Sequence, residues 1–484
     1  MKKYLQNPHS PFILLTLCIM IVLTLPVLIQ DGMFMDSVLF TSVSHNLSQG
    51  IGSFWFPQFS PRNLAIDGVP GFLEQPPLGY FIQSLFFRVF GDSMYVERFY
   101  TFLTMIISAW IITLLWKEIF RSHGDLKKMI WLPVLLWITI PVCFWSYSNN
   151  MLENTMGLFT LCAVLFAYKA CIGKHSLLHI ILSGIFVFLA SLTKGIPGFF
   201  PLAIPALWWL VTGRSEYKTV LWQTFLMLAL PALIYFILFL FPESRDSLSA
   251  YLFKRAFQRI GEAPNVGSHF YILFRLISEL LPAIIFIMVV FLTGGFRKVA
   301  ALIREHYKTG LFFITVGLSG ALPLMLTRVQ KGFYFVPALP FFAIGFAVLC
   351  APIISGWIAQ LQFRFKLIRI SIFSGIILLV TVILFSFSQA GKTNRNKEML
   401  HDIYAIGEVV PEFSTVSVPD FDTWNQWDLQ SYFMRYFNIS LDDKTRNEYM
   451  LVDLRLNSSI PPDYQRVDIE TNRYVLYRAL KHKD

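Results

Sequence analysis

Charged side chains are scarce in this chain of 484 residues, where Asp, Glu, Lys and Arg together make up 14%. A typical soluble domain carries about a quarter of such residues. Cysteine is also rare, with five residues in the chain. All five lie within apolar stretches or at their ends, and none forms a Cys-x-x-Cys pair. These shortages argue against a soluble enzyme, a disulfide framework and a cysteine-ligated zinc site.

Hydrophobic residues account for 55% of the chain, and apolar runs long enough to cross a bilayer recur along it. The predicted fold class is therefore an all-α polytopic membrane protein with about 11 transmembrane helices. The predicted spans lie at about 11–29, 95–116, 129–146, 151–169, 177–193, 196–211, 219–241, 270–293, 309–326, 333–354 and 369–388.

Basic residues predict the orientation of these spans. Lys2, Lys3 and the Lys and Arg residues of alternate loops all fall on one side, which the positive-inside rule makes cytoplasmic. The N-terminus is thus predicted to be cytoplasmic, before an uncleaved first helix. Because the positive charge of +10 is concentrated in these loops, it indicates a membrane rather than a nucleic-acid partner.

Two domains are predicted. Residues 1–388 form the transmembrane domain, whose first outer loop, 30–94, contains interfacial helices at about 36–47 and 76–90. Residues 389–484 form a small C-terminal α/β domain outside the cytoplasm. It contains no catalytic motif and is interpreted as a lid or docking module. Its predicted helices are 396–408 and 424–436, and its predicted strands are 415–418, 449–452 and 474–477.

Polar residues near the outer ends of the spans are the candidate functional residues, because charges beside a bilayer are costly and often functional. Acids can deprotonate an acceptor, and cations can stabilise a departing phosphate. A substrate with a lipid tail and a phosphate head would suit such a set. The set comprises Asp31, Asp36, Glu74, Arg98, Glu153, Lys194, Arg255, Arg259, His269, Lys331 and Tyr334.

The order of six short motifs over residues 11–350 resembles the GT-C glycosyltransferases. Within that class it is similar to the family of protein O-mannosyltransferases and bacterial lipid A aminoarabinose transferases. Each motif is weak by itself, but their order and predicted membrane side are shared with the family. The motifs are Asp31, Glu74-Gln-Pro-Pro-Leu-Gly-Tyr80, Val96-Glu-Arg98, Met151-Leu-Glu-Asn154, Thr193-Lys-Gly195 and Lys331-Gly-Phe-Tyr-Phe-Val-Pro-Ala-Leu-Pro340.

The resemblance implies a role for each matched residue. The implied catalytic residues are Asp31, as the base, with Glu74 and Glu153. Those implied to bind the donor phosphate are Lys331, Tyr334, Arg259, Arg255 and Lys194, and supporting residues are Asp36, Gln75 and Arg98. Two positions depart from the family, because Gly32 replaces a glutamate and Gln75 replaces a lysine.

The family implies an integral-membrane glycosyltransferase of the bacterial inner membrane. It would move a hexose or pentose from a polyprenyl-phosphate donor to a lipid, glycan or protein acceptor on the periplasmic side, by direct displacement with inversion. No cofactor is required, and a metal-free site is favoured over a divalent cation shared by Asp31, Glu74 and Glu153.

Other readings of the same residues stay open. The protein could be a flippase of lipid-linked saccharides, or an O-antigen-ligase-like transferase that uses a diphosphate-linked donor. Among single residues, Asp31 could anchor a helix end, Lys331 and Tyr334 could be interface anchors, and Arg255 could bind anionic headgroups.

Overall fold

The computed structural model describes residues 7–62, 70–173, 176–258, 261, 264–294, 304–361, 364–456 and 458–480. The chain forms two compact units. The first contains Met1–Ile29 and Phe99–Gln389, and the second contains Gln30–Arg98 and Ala390–Asp484. The loop 30–94, which the sequence analysis grouped with the membrane domain, thus clusters with the C-terminal tail.

Most of the described chain is helical. In chain order the α-helices are α1 (Ser10–Leu28), α2 (Met35–Ser48), α3 (Leu78–Phe90), α4 (Tyr95–Ile119), α5 (Gly124–Lys127), α6 (Trp131–Ile138), α7 (Pro141–Ser148), α8 (Leu152–Ile172), α9 (Ser176–Lys194), α10 (Ile204–Thr212), α11 (Tyr217–Phe239), α12 (Pro242–Tyr251), α13 (Tyr271–Gly294), α14 (Tyr307–Ala321), α15 (Leu339–Leu361), α16 (Phe365–Phe387), α17 (Lys397–Gly407), α18 (Phe421–Trp424) and α19 (Trp427–Phe437). Three 3-10 segments, Ile196–Ala203, Leu322–Leu326 and Gly332–Ala338, precede or extend helices, and Leu252–Ala256 is a π-helical turn.

The prediction of an all-α multi-pass membrane protein with a small C-terminal sheet is confirmed. Within the described residues, nine helical segments are long and apolar enough to cross a membrane, or ten if one bent pair is a single span. That pair is α6 and α7, which replace the predicted span 129–146 and are bent by 80°.

Proline explains both departures from the predicted spans. Ile140 precedes Pro141 and adopts an extended conformation with ψ 124°, which ends α6 and starts α7 in a new direction. The predicted span 196–211 contains Pro197, Pro201 and Pro205. Because each proline removes a helical donor, the first half is 3-10 helix and the α-helix is only nine residues long.

In the first unit, α8 packs along α9 and α14 packs along α15. Asn150, with φ 48°, makes the turn into α8, and Gly195, with φ 75°, ends α9. A side chain at Gly195 would also meet the hydroxyl of Tyr251, which lies 1.9 Å from the position of a Cβ. Glycine is therefore required directly after Lys194.

The second unit contains the interfacial helices predicted for the first outer loop. The two helices, α2 and α3, begin and end within two residues of the predicted positions. Helix α2 packs against both α3 and α19. Apolar side chains of α2, α17, α19 and the sheet form one buried core, in which Val38, Ile403, Leu429 and Leu451 are fully buried.

A five-stranded sheet completes this unit. Its strands are β1 (Thr415–Ser417), β2 (Ser440–Asp442), β3 (Tyr449–Asp453), β4 (Tyr464–Arg466) and β5 (Tyr474–Ala479), in the order β2-β1-β3-β5-β4. Strand β1 is parallel to β2 and β3, whereas β5 is antiparallel to β3 and β4. The predicted α/β tail is confirmed, and β2 and β4 are the strands that the prediction missed.

Asp402 of α17 is a buried carboxylate that ties this helix to the start of β5. It accepts main-chain hydrogen bonds from Asn472, Arg473 and Tyr474 at 2.7, 2.7 and 2.9 Å. Burial would raise the pKa of Asp402, but the three N–H donors outweigh it and lower the pKa below its usual value. The ionised carboxylate thus stabilises the fold.

Asp402→Asn is expected to lower the free energy of unfolding of the second unit by about 2–3 kcal/mol, because an amide NH₂ would face an N–H donor. Proteolysis of the full chain in detergent, with increasing urea, measures this loss. Because the folded pKa lies below the unfolded one, the difference should shrink as pH falls below about 4. The control, Asp463→Asn, removes an exposed partner of Arg446. Equal stability of Asp402→Asn and wild type at pH 7 would contradict this account.

Candidate functional site

Asp31 lies just after α1, and its carboxylate is held from several sides. The side chain is 5% exposed. Its Oδ1 accepts hydrogen bonds from the Gly32 N–H at 2.8 Å and the Tyr436 hydroxyl at 2.9 Å. Its Oδ2 accepts one from the Tyr404 hydroxyl at 2.8 Å. The main-chain N–H of Asp31 donates to the carbonyl of Lys392 at 2.9 Å. Asp31 is therefore held by tail residues.

Gly32 cannot be replaced by the acid that the family places there. Its φ is 86°, and a Cβ at this position would lie 2.7 Å from the carbonyl oxygen of Arg395. A glutamate would therefore need a strained backbone and a shifted neighbour. The departure from the family that the sequence showed is thus a consequence of close packing.

The tail supplies side chains that contact the Asp31 segment and that the sequence analysis missed. Tyr432, Arg435 and Tyr436 share one face of α19, at the i, i+3, i+4 spacing. The Tyr432 hydroxyl donates to the carbonyl of Met33 and accepts from its N–H, both at 2.8 Å. The spacing was visible in the sequence, but nothing there indicated which segment this face would contact.

Arg98, predicted as a supporting residue, holds the main chain next to Asp31. Its guanidinium donates to the carbonyl of Gln30 through Nε and Nη2, at 3.2 and 3.1 Å. It also pairs with Glu97 at 2.9 Å, and Glu97 pairs with Arg435 at 3.0 Å. These three side chains are 2% exposed or less, so water does not solvate their charges and each charge is stabilised by its ion-pair partners.

The remaining predicted residues of this unit lie in or before helices α2 and α3. Glu74 is half-buried and Gln75 is buried, shortly before Pro77 at the N-terminal end of α3. Asp36 lies in the first turn of α2, where a carboxylate is favoured by the helix dipole. The N-cap of that helix is Phe34.

A second cluster lies in the first unit, around Glu153. The fully buried Glu153, in the first turn of α8, forms a salt bridge with Lys194, the last residue of α9. The ammonium of Lys194 lies 5.6 Å from the ring centre of Tyr334, within range of a cation–π interaction. The structure thus brings three predicted residues together, two of them in the phosphate-binding group.

Lys331 immediately precedes the 3-10 segment that carries Tyr334. Both side chains are half-buried. The ammonium of Lys331 lies 5.6 Å from the ring centre of Phe333, and that ring stacks on Trp145 at 5.7 Å. Since Phe333 is buried, the lysine is attached to a well-packed segment.

Of the two arginines predicted to bind the donor phosphate, Arg255 and Arg259, the structure describes only Arg255. Arg255 is half-buried in the π-helical turn that follows α12. Arg259 lies outside the described residues. His269, which was also in the set of polar span ends, donates a hydrogen bond from Nδ1 to the carbonyl oxygen of Met325 at 2.7 Å.

Within the described residues, the three potential metal ligands that lie close together are His123, Glu305 and His306. They were not among the predicted site residues. Glu153, one of the three acids considered for a shared cation, is paired with Lys194.

Comparison with known proteins agrees with this fold. A family described as dolichyl-phosphate-mannose-protein mannosyltransferase matches residues 74–241. Undecaprenyl phosphate-alpha-4-amino-4-deoxy-L-arabinose arabinosyl transferase 2 of Proteus mirabilis is 25% identical over 139 residues, covering 28% of this chain and 24% of that protein. The corresponding transferase of Yersinia enterocolitica is 28% identical over 143 residues, with the same coverage. The matched segment spans about a quarter of the length of these relatives.

Similarity of structure extends over nearly the whole chain. ArnT from Cupriavidus metallidurans, crystallised with undecaprenyl phosphate, has a TM-score of 0.65 at 13% identity and covers 96% of this chain and 97% of its own. The oligosaccharyltransferase of Archaeoglobus fulgidus has a TM-score of 0.52 at 14% identity, covering 91% of this chain and 68% of its own.

These matches define a multi-pass membrane protein of the GT-C fold class. Its fold is that of the GT-C glycosyltransferases, which its motifs also resemble. Its sequence and structure are similar to those of the aminoarabinose transferases in particular.

Lys194→Met is expected to destabilise the first unit by about 3 kcal/mol, because it leaves Glu153 as an unpaired buried charge. Adding Glu153→Gln should recover at least about 1 kcal/mol of that loss. Denaturant unfolding of the detergent-solubilised chain measures both. The matched control is Lys128→Met, which removes an exposed pair with Asp125 and should cost less than about 1 kcal/mol. Strictly additive effects of Lys194→Met and Glu153→Gln would show that the pair is not coupled.

Proposed function

We propose that this protein transfers a sugar from a polyprenyl-phosphate donor to an acceptor on the periplasmic side of a bacterial inner membrane. Asp31 is the general base, and the cations Lys331 and Lys194, together with Tyr334, bind the donor phosphate. The acceptor is a lipid, a glycan or a protein. The N-terminus is cytoplasmic and the tail is periplasmic.

The observation that supports this proposal most is the similarity to ArnT across 96% of the chain, because that relative was crystallised with undecaprenyl phosphate. The local geometry agrees with it. The ammonium of Lys194 lies 5.6 Å from the ring centre of Tyr334, and both residues belong to family motifs. Within the described residues, the contacts of the Asp31 carboxylate are hydrogen bonds and not an ion pair. A carboxylate within hydrogen-bond reach of an acceptor hydroxyl can act as its general base.

The reaction then needs few parts. The acceptor hydroxyl gives its proton to Asp31 while its oxygen attacks the anomeric carbon of the donor. The bond from that carbon to the phosphate oxygen breaks, and the electron pair leaves with the polyprenyl phosphate. Because a phosphate monoester is a good leaving group, cations that neutralise it can replace a general acid. Attack opposite the leaving group inverts the anomeric carbon.

Reconstitution tests the function directly. Purified protein in liposomes of bacterial lipid extract with lipopolysaccharide would receive undecaprenyl phosphate carrying radiolabelled 4-amino-4-deoxyarabinose or mannose. Transfer is expected as label that leaves the polyprenyl fraction for an acceptor. Label that crosses the bilayer while the sugar–phosphate bond stays intact would instead identify a flippase. Label moved only from a diphosphate-linked glycan would favour the ligase-like alternative.

Asp31→Asn is expected to reduce transfer at least about 100-fold, because it removes a general base and keeps the shape of the side chain. Binding of undecaprenyl phosphate, measured by native mass spectrometry, should stay within about threefold of wild type. Normal turnover by this variant would refute the assignment of Asp31.

Lys331→Ala is expected to weaken binding of undecaprenyl phosphate by about tenfold or more, since a charge-assisted hydrogen bond contributes about 1.5–3 kcal/mol. The same titration measures it. The control, Lys117→Ala, removes an exposed lysine near the end of α4. An unchanged affinity for Lys331→Ala would remove this residue from the donor site.

A further inference from the structure

We propose that Tyr404 and Tyr436 of the tail are positioning residues for Asp31, which orient its carboxylate and reserve Oδ2 for the proton of the acceptor. The tail would then be a working part of the catalytic centre rather than a lid or docking module. This inference rests on the proposed function, in which Asp31 is the base.

The donors are distributed unequally over the two oxygens of Asp31. Oδ1 accepts from the Gly32 N–H and from the Tyr436 hydroxyl, at 2.8 and 2.9 Å. Oδ2 accepts from the Tyr404 hydroxyl at 2.8 Å. A carboxylate oxygen has about two lone-pair sites, so Oδ1 is saturated by these donors. A second lone pair of Oδ2 is left for the acceptor, which identifies the oxygen that takes its proton.

Both tyrosines are suited to remain donors. Burial and the negative charge of Asp31 raise the pKa of the Tyr404 hydroxyl above its ordinary value. Burial also raises the pKa of Tyr436 well above its ordinary value, although Arg98 opposes this. Each hydroxyl is therefore protonated at any pH at which a carboxylate base works, and each donates its proton to Asp31 throughout.

Stacking fixes the directions of these hydroxyls. The rings of Tyr404 and Tyr436 stack with centres 5.5 Å apart and planes at 24°, and the rings of Tyr432 and Tyr436 stack with centres 5.9 Å apart and planes at 19°. The Tyr432 hydroxyl is in turn fastened to the main chain of Met33. A row of three rings from α17 and α19 thus meets the segment that carries the base. Such rigid support is what a base needs to be held in a productive geometry.

Other charges near Asp31 are held in place as well. Arg98 is paired with Glu97, and its attraction for Asp31 acts from α4. Arg395, which precedes α17, lies with its guanidinium 5.9 Å from the ring centre of Phe34. Within the described residues neither arginine forms an ion pair with Asp31, so the tyrosine hydroxyls are the side-chain contacts on the carboxylate that a substitution can remove.

The test uses Tyr404→Phe and Tyr436→Phe in the full-length protein, reconstituted with the radiolabelled donor that wild type uses. Each substitution removes one hydroxyl and keeps the ring. Since hydrogen-bond donors favour the ionised carboxylate, each loss should move the acidic limb of the pH–activity profile to higher pH. Each should also lower kcat about tenfold, whereas KM for the donor should change less than about twofold.

Tyr432→Phe is the matched comparison. Tyr432 lies on α19, as Tyr436 does, but its hydroxyl contacts the main chain of Met33 and not the carboxylate of Asp31. It is expected to lower thermal stability and to shift the pH profile less than Tyr404→Phe or Tyr436→Phe does. Tyr477→Phe, on β5, serves as a second comparison away from Asp31. Thermal unfolding of every variant identifies those that fail to fold.

The outcomes separate this inference from the proposed function. If wild type transfers no sugar from any polyprenyl-phosphate donor, the proposed function fails. If wild type is active and Asp31→Asn is inactive, while Tyr404→Phe and Tyr436→Phe keep the wild-type pH limb and kcat, the positioning role alone is overturned. It is overturned as well if Tyr432→Phe shifts the pH limb as far as they do.

Discussion

The four residues Gln30–Met33 are each held by at least one hydrogen bond, and the candidate base lies among them. Arg98 binds the carbonyl of Gln30, and Tyr432 binds both main-chain polar groups of Met33. Tyr404 and Tyr436 bind the carboxylate of Asp31. A segment that leaves a transmembrane helix would otherwise be free to move. These contacts make it a fixed part of the second unit.

The buried charges behind this segment support its position more than the stability of the fold. Glu97 lies between Arg98 and Arg435, and all three are nearly inaccessible to water. Removing such charges from water costs several kcal/mol for each ion, so an apolar cluster of the same volume could be equally stable. What an apolar cluster would not supply is a fixed guanidinium for the carbonyl of Gln30. We therefore attribute the network to positional specificity.

Much of this molecule could be predicted from local sequence. Hydropathy located the membrane-spanning helices, and alternation and helical spacing located α17, α19 and three of the five strands. The predictions at 129–146 and 196–211 were wrong because of prolines. A hydropathy window measures only the length of an apolar stretch, and it does not detect a residue such as Ile140 that is extended before a proline. Strands β2 and β4 were missed and are three residues long, but β1 is equally short and was predicted, so length alone does not explain the difference.

Residues of the candidate site could be predicted only where they belong to a family motif. Asp31, Glu153 and Lys194 were found through family motifs, and the pairing of Glu153 with Lys194 followed from neither motif. Tyr404 and Tyr436 are more than 370 residues from Asp31 in sequence. Each lies on a helix with an ordinary amphipathic pattern, which does not indicate a contact with Asp31.

The replacement of an acidic neighbour by Gly32 gains a physical explanation from these tyrosines. Where the family has two adjacent acids, each carboxylate raises the cost of ionising the other. Here the main chain at Gly32 lies against Arg395 and leaves no space for a side chain. The second acid is absent, and neutral hydroxyl donors contact the first. Hydroxyl donors stabilise a negative charge, whereas a second carboxylate opposes it, so the two tyrosines provide support that an adjacent acid would not.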